Sequence, residues 1–331
     1  MRDVANMAGV SLSTVSRVVN GQQVDARMEA RVRDAIAMLG YRANVSARSL
    51  RRTARGSASV GLVFEDVGNP FFSAIHRGVE DVLRTRGMLT FAGSSDEEPE
   101  RERELAAAFA ARGVDGLIIA PAAPDQSYLA RDRDAGLALV FVDRPPRFLD
   151  ADSVTCDNFG GALAACEHLV ARGHRRIAFL GDRPEIHTSA ERFRGYREGL
   201  ARHSVPEDPQ RIRHGLFRAL DAYDTTRELM LRPEPPTALF TGQNLITIEA
   251  VSALHDLGRQ REVALVGFDD VTLAHAIEPA LTVVAQDPVA LGRAAAELLL
   301  ERVDGAASSS RHLVLPLQLV QRGSGEIPAW T

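Results

Sequence analysis

Apolar positions change their period once along this chain, near residue 59. Before it they recur every three or four residues: Val4, Ala5 and Ala8, then Val15, Val18 and Val19, then Met28, Val32, Ile36 and Leu39. That spacing predicts three short amphipathic helices. Gly9 can take the left-handed conformation that closes the first, and Ser11 or its neighbour can cap a second that runs to about Asn20 and stops at Gly21. Asp25 reads as the N-cap of a third, which Gly40 closes. The stretch "ANVSARSLRRTARGSAS" that follows is polar, basic and poor in large side chains, and reads as a linker.

Beyond it, apolar runs too short for core helices take over: 59–64, 116–121 and 138–143, and, after a dip at "DRPPRFLDADS", 176–182, 237–242 and 263–270. Helical stripes separate most of them, as at 71–86, 99–112 and 125–135. Unbroken apolar strands alternating with helices predict parallel sheets covered on both faces. The repeat of this texture predicts two similar α/β halves behind a small all-α head. The acidic run "SSDEEPERERE" (94–104) reads as a solvated loop and helix start, since proline and acids suit a first turn.

Charge sharpens the division. Residues 1–56 hold ten arginines and four acids, a net +6, so the rest of the chain, with −5 overall, carries −11. A basic head on an acidic body points to a polyanion partner for the head alone. The chain has no lysine, which codon bias explains. Its two cysteines, Cys156 and Cys166, form no CxxC pair, which fits a reducing compartment better than a disulfide scaffold or zinc site. The charged start leads directly into a helical pattern, without a signal-peptide core or a membrane-length apolar run, so the expected address is cytoplasmic.

Candidate chemistry is sparse. No GxGxxG follows a strand, and GxxxxGK[ST], HExxH and GxSxG are missing. His168, His174 and His187 are scattered and read as surface or structural histidines. No catalytic residue, metal site or cofactor is expected. The stretch "GVSLSTVSRVVNG" (9–21) says more. On a helical wheel Val18 and Val19 fall within about 60° of Val15, while Ser13, Arg17 and Asn20 face the opposite pole, flanked by Thr14 and Ser16. Small hydroxyls allow close approach to a major groove and an arginine can pair with guanine, so with the first helix the stretch reads as a helix-turn-helix. Periodicity alone also allows a plain packing helix, and it leaves Leu12 half in the core.

"DVANMAGVSLSTVSRVVNG" resembles the N-terminal signature of the lactose-repressor/galactose-repressor family of bacterial transcription factors. The likeness continues in order through "YRANVSARSL", "NPFF", "DGLIIAP", "HLVARGHRRIAFLG", "ERFRGY", "VGFDD" and "GRAAAELLL". It implies a DNA-binding head (1–43), a hinge and linker (44–58), and a two-lobed effector domain built from Rossmann-like sheets of the periplasmic-binding-protein type. The N-terminal lobe would comprise 59–156 and 287–316, and the C-terminal lobe 157–286 and 317–328. Within the head, the resemblance makes Leu12 and Ser13 the residues that choose the operator and Arg17 a base reader. Ser11, Thr14, Ser16 and Asn20 match positions that hold the DNA backbone. In the hinge, two helical turns too short to persist alone in water, Leu50 matches a wedge inserted between base pairs. Ala47 allows close approach there, with Arg48, Arg51 and Arg52 on phosphates.

By the same resemblance the effector contacts are Asn69, Phe71, Phe72, Asp143, Arg192, Gln243 and Asp269, with Glu65 and Thr155 also aligned to the pocket. Acids, amides and one arginine around aromatics suit sugar hydroxyls, although Asp143 and Asp269 also read as turn caps and Arg192 as part of a solvated helix face. Three departures stand out. The family usually has residues before "DVA", including a helix-capping threonine, so the start expected for the natural chain lies upstream or the head is less stable. Met28-Glu29 stands where Thr-Arg is usual, and Gln243-Asn244 where Asn-Asp is usual.

The expected protein is therefore a homodimeric transcriptional repressor, not an enzyme, acting on double-stranded, near-palindromic operator DNA under control of a small molecule of the carbohydrate class. The tail "SGEIPAWT" carries no apolar heptads, which predicts a dimer without tail-mediated tetramers. The rival readings are a sugar-binding solute receptor, which needs a signal peptide and no basic head, and a sugar-modifying enzyme, which needs a nucleophile, base or phosphate loop.

Overall fold

The computed structural model describes residues 2–19, 24–39, 58–218, 220–306 and 309–330. Asn20, Gly21, Gly40 and the hinge positions Ala47, Arg48, Leu50, Arg51 and Arg52 lie outside them. The head contains helices α1 (Arg2–Ala8), α2 (Leu12–Val19) and α3 (Ala26–Leu39). Gly9 closes α1 with φ +58°. The Ser11 hydroxyl accepts from Thr14 N at 3.1 Å, and Asp25 Oδ1 accepts from Arg27 N at 3.0 Å, so both expected caps form. Val4, Ala5, Ala8, Val15, Val32 and Ala35 are buried together, with Val18 and Ile36 against them. Met28, expected on the core stripe of α3, is exposed instead: Ala35 fills the face and the helix turns Met28 outward.

The body is two sheets of six strands. The first has the order β11-β5-β4-β3-β1-β2, from β1 (Ser59–Phe64), β2 (Leu89–Ser94), β3 (Gly116–Ile119), β4 (Ala138–Val142), β5 (Asp152–Cys156) and β11 (His312–Leu315). The second has the order β12-β10-β9-β8-β6-β7, from β6 (Ile177–Leu180), β7 (Ile212–Arg213), β8 (Ala238–Thr241), β9 (Ala264–Phe268), β10 (Thr282–Ala285) and β12 (Gln318–Val320). Every pairing is parallel except β10 with β12. The two orders are the same permutation, so the halves repeat one strand order and differ only in the direction of the last strand, parallel for β11 and antiparallel for β12. The chain passes between sheets three times, after β5, after β10 and between β11 and β12.

Helices α4 (Pro70–Leu83), α5 (Pro99–Ala111), α6 (Ala130–Asp134), α7 (Asn158–Ala171), α8 (His187–Arg202), α9 (Asp221–Met230), α10 (Asn244–Asp256) and α11 (Pro288–Val303) cover the sheets. The helical stripes expected at 71–86 and 125–135 end as 3-10 turns at one end, so their α-helical parts are shorter. Close packing of α4 on α11 depends on Gly78 and Gly292, where any Cβ would strike the partner backbone. Each sheet is buried on both sides, by Leu62, Ile118 and Val140 on one face and Leu117, Ile119 and Phe141 on the other in the first lobe, and by Phe179, Phe240 and Val266 against Leu180, Leu239 and Leu265 in the second. No helix among the described residues is long and apolar enough to cross a membrane.

Candidate ligand cleft and nucleic-acid interface

Strand ends of both sheets meet at one cleft. Asn69, Phe71, Phe72, Asp143, Arg192, Gln243 and Asp269, drawn from five separate segments, all line it, as does Glu65. Thr155, one residue before the end of β5, is not part of this lining. Open α/β sheets bind ligands at this place because helix N-termini and strand C-termini converge there. Asp143 follows β4 and Asp269 follows β9, both with φ +69°. Each backbone N–H bonds the next strand, to Val154 O at 3.0 Å and Val284 O at 2.9 Å. A non-glycine residue in this strained region, held by sheet pairing and aimed into a cleft, is a mark of function.

Arg192 is almost fully buried, contrary to the solvated-face alternative. It donates to Asn158 Oδ1 and to Gly242 O, each at 2.7 Å, lies 3.9 Å from Asp269 Oδ2, and stacks 3.8 Å above the Phe268 ring. Gln286 Nε2 donates to Asp269 Oδ1 at 2.6 Å. Gln243 caps α10, its side chain accepting from Leu245 N at 2.7 Å. The reach across the cleft comes from its neighbour, for Asn244 Nδ2 donates to Asn69 Oδ1 at 2.8 Å. Asn69 also caps α4 through Phe71 N at 3.0 Å.

Arg144, Asn158, Asn244 and Gln286 belong to this constellation although periodicity gives no sign of them. The available signal was position, because Arg144 follows Asp143 directly at a strand end. Its guanidinium is buried, 2.6 Å from Glu97 and 3.5 Å from Glu65. Arg183, from the other lobe, approaches Glu97 at 3.7 Å. The acidic run is thus only partly solvated. The Glu97 side chain is buried in this bridge although its backbone is partly exposed, and Glu102 is buried in α5, accepting from Ala123 N at 2.9 Å, from Ala122 N, and from the Tyr128 hydroxyl at 2.7 Å.

Four cleft carboxyls titrate above the ordinary carboxylate range. Burial raises Asp143, Asp182 and Asp269, and burial with the nearby Glu97 pushes Glu65 up to about 8. Each therefore binds its proton more tightly folded than unfolded, and stability falls as pH rises from about 4.5 to about 8. His174, His187 and His214 are held below their usual value by burial, so stability falls again below about 6.5. Between pH 6.5 and 8.5 the melting temperature should drop by about 3–6 °C, and Glu65→Gln should flatten that slope. Differential scanning fluorimetry across this range checks it. A melting temperature that rises toward pH 8.5 would contradict the assignment.

His174 is structural: its ring bridges the Thr237 hydroxyl and Ile327 O, each at 2.9 Å. His168 Nε2 donates to Gly325 O at 3.1 Å. Among the described residues no cluster of His, Cys, Asp or Glu has metal-binding geometry.

In the head, Val15 anchors α2 while Ser11, Leu12, Ser13 and Arg17 are exposed and Thr14 and Ser16 half-buried. Leu12, ambiguous by periodicity, is 45% exposed and lies outside the core. The α2 face thus presents hydroxyls, one leucine and one guanidinium to solvent, a set shaped for a DNA groove.

A basic helix-turn-helix joined to a bilobed ligand cleft defines a DNA-binding regulator under small-molecule control. Comparison with known proteins agrees. Residues 1–44 match the model of bacterial regulatory proteins of the lacI family, and residues 166–325 match the periplasmic binding protein-like domain. The HTH-type transcriptional regulator CelR of Thermobifida fusca is 33% identical over 332 residues, covering 97% of each chain. A solved CelR–cellobiose complex matches with TM-score 0.72 at 32% identity, over 97% of this chain and 98% of that one. The lac repressor dimer bound to operator and the anti-inducer ONPF matches with TM-score 0.74 at 27% identity, over 98% of both. The chain belongs to the LacI family of bacterial transcriptional regulators. It is a DNA-binding regulator and not an enzyme.

Proposed function

We infer that this protein is a cytoplasmic, homodimeric repressor whose operator affinity is set by a neutral carbohydrate held between the lobes. The cleft chemistry carries the reading: Asp143, Asp182 and Asp269 offset Arg144 and Arg192 while Glu65, pushed up to about 8, is mainly protonated, so a phosphate or carboxylate finds no net positive charge. Hydroxyls, by contrast, can donate to the carboxylates and accept from the arginines, while Phe71 and Phe72 supply an apolar face. The CelR relative, solved with cellobiose, supports a sugar. The lac repressor structure, a dimer on operator DNA, supports two heads on a near-palindromic site.

In this reading residues 1–43 form the head, with Leu12, Ser13 and Arg17 reading bases and Ser11, Thr14, Ser16 and Asn20 holding the backbone. Residues 44–58 form the hinge, with Leu50 as the wedge beside Ala47, Arg48 and Arg51. The lobes comprise 59–156 with 287–316, and 157–286 with 317–328. The separation of β11 from β12 into different sheets supports the last boundary. Where the lobes touch, the cleft encloses only about 40 Å³, close to one water's share of liquid volume. A sugar must therefore part the Asn69–Asn244 contact, and that movement is what the hinges would sense.

The test is operator selection from random DNA, followed by fluorescence anisotropy with a panel of neutral sugars and their phosphates. A palindromic site whose affinity changes at least about tenfold with a neutral sugar is the expected result. A response to phosphates alone would overturn the sugar assignment, and a non-palindromic site would overturn the two-headed arrangement.

A further inference from the structure

A second cavity opens beside the cleft, between the lobes. It measures about 580 Å³, within the range of about 300–1,000 Å³ usual for small-molecule sites. Arg144 and Ile186 line both spaces, so the two are immediate neighbours. We propose that the outer cavity is a second glycosyl subsite, and that the effector is a disaccharide or longer oligosaccharide whose second ring lies there. This rests on the carbohydrate reading of the inner cleft and extends it.

The walls are built in advance. Fully buried Glu102 pins the segment 121–123 through the Ala122 and Ala123 amides. Fully buried Gln126 ties that segment to the facing one, donating to Ala123 O at 2.5 Å and accepting from Arg147 N at 2.7 Å. Pro99, Pro121, Pro124 and Pro145 stiffen the surface and give it apolar patches for the C–H face of a ring. A preformed wall lowers the ordering cost of binding.

Charge selects the occupant. Glu97, Glu98 and Glu185 balance Arg144, Arg147 and Arg183. His187 adds no cation at neutral pH, since burial holds it below its ordinary value. A balanced lining gives an anion no net attraction but offers donors and acceptors to a polyhydroxylated neutral ring. Arg147 and Arg183 line the cavity with guanidinium groups that are only partly covered, so both can donate to a ligand hydroxyl.

Isothermal titration calorimetry of the full chain with glucose, cellobiose and maltose, galactose and lactose, and xylose and xylobiose tests this. At least one disaccharide should bind about tenfold or more tightly than its own monosaccharide. Ala122→Phe, which fills the outer cavity, should abolish that gain and leave monosaccharide affinity unchanged. Pro124→Trp, placed on an exposed rim residue, should do the same and serves if Ala122→Phe fails to fold. Monosaccharide binding with no disaccharide gain, or a gain that survives filling, overturns the outer subsite alone. No binding by any of these sugars defeats both the subsite and the carbohydrate reading beneath it.

Discussion

Arg192→Ala should cost more than any other single change in the body. Its guanidinium joins Asn158, Gly242, Asp269 and the Phe268 ring at one buried point. Truncation leaves Asp269, already raised by burial, without its cation. Removing one member of a buried pair costs about 3–5 kcal/mol, which in a body this size lowers the melting temperature by about 6–15 °C. Effector affinity should fall at least about thirtyfold, the scale of a lost charged hydrogen-bonding group of about 2–5 kcal/mol. Arg192→Lys should recover little, since a lysine cannot bridge two acceptors while stacking on a ring. Thermal unfolding and calorimetry with the bound sugar check both effects. A melting temperature within 1 °C of wild type (roughly a third of a kcal/mol) would show that Arg192 does not organise the cleft.

Arg17→Ala should show the opposite pattern. The side chain is exposed on α2, whose anchor is Val15 on the other face, so the fold should not respond. A bidentate arginine–guanine pair is worth about 1–3 kcal/mol of discrimination, and a dimer on a near-palindrome loses it twice. Operator preference should fall by about 30-fold or more while weak, salt-dependent binding to any DNA persists. Anisotropy on the selected operator and on a scrambled duplex separates the two. Equal loss on both would reassign Arg17 from base reading to phosphate contact.

The contrast between these residues shows what the sequence could disclose. Strands β1, β3, β4, β6, β8 and β9 are central and wholly buried, and such strands have to be unbroken apolar runs. Edge strands obey no such rule. β2 leaves Leu89 and Phe91 exposed and β7 is two residues long, so neither produces a run that stands out. β5 and β10 lie next to the edge and mix threonine and aspartate with valine. In the head, the face of α2 was legible because one side of a helix must be apolar. Leu12 was not, because its angle lies near the boundary and only its exposure decides it. Cleft residues converge from separate segments, so periodicity gave none of them. Resemblance supplied seven of the positions with Glu65 and Thr155, marked Gln243-Asn244 as a departure, and passed over Arg144 and Asn158, whose roles depend on contacts from distant segments. Glu97 and Glu102 misled for a similar reason: a charged run reads as solvated until the partners that bury it are known.

The three passages between the sheets have a mechanical meaning. They make the bilobed body a lever, with its fulcrum at the exits of β5 and β10 and at the two residues between β11 and β12. The load hangs from one arm only, since the chain enters the body at β1 in the first sheet. A ligand can tilt the second arm freely, but the DNA-reading head registers the tilt only as far as the first arm is displaced. Stiffening the fulcrum, for example at Leu317, would then leave the grip on sugar intact while silencing its message to DNA.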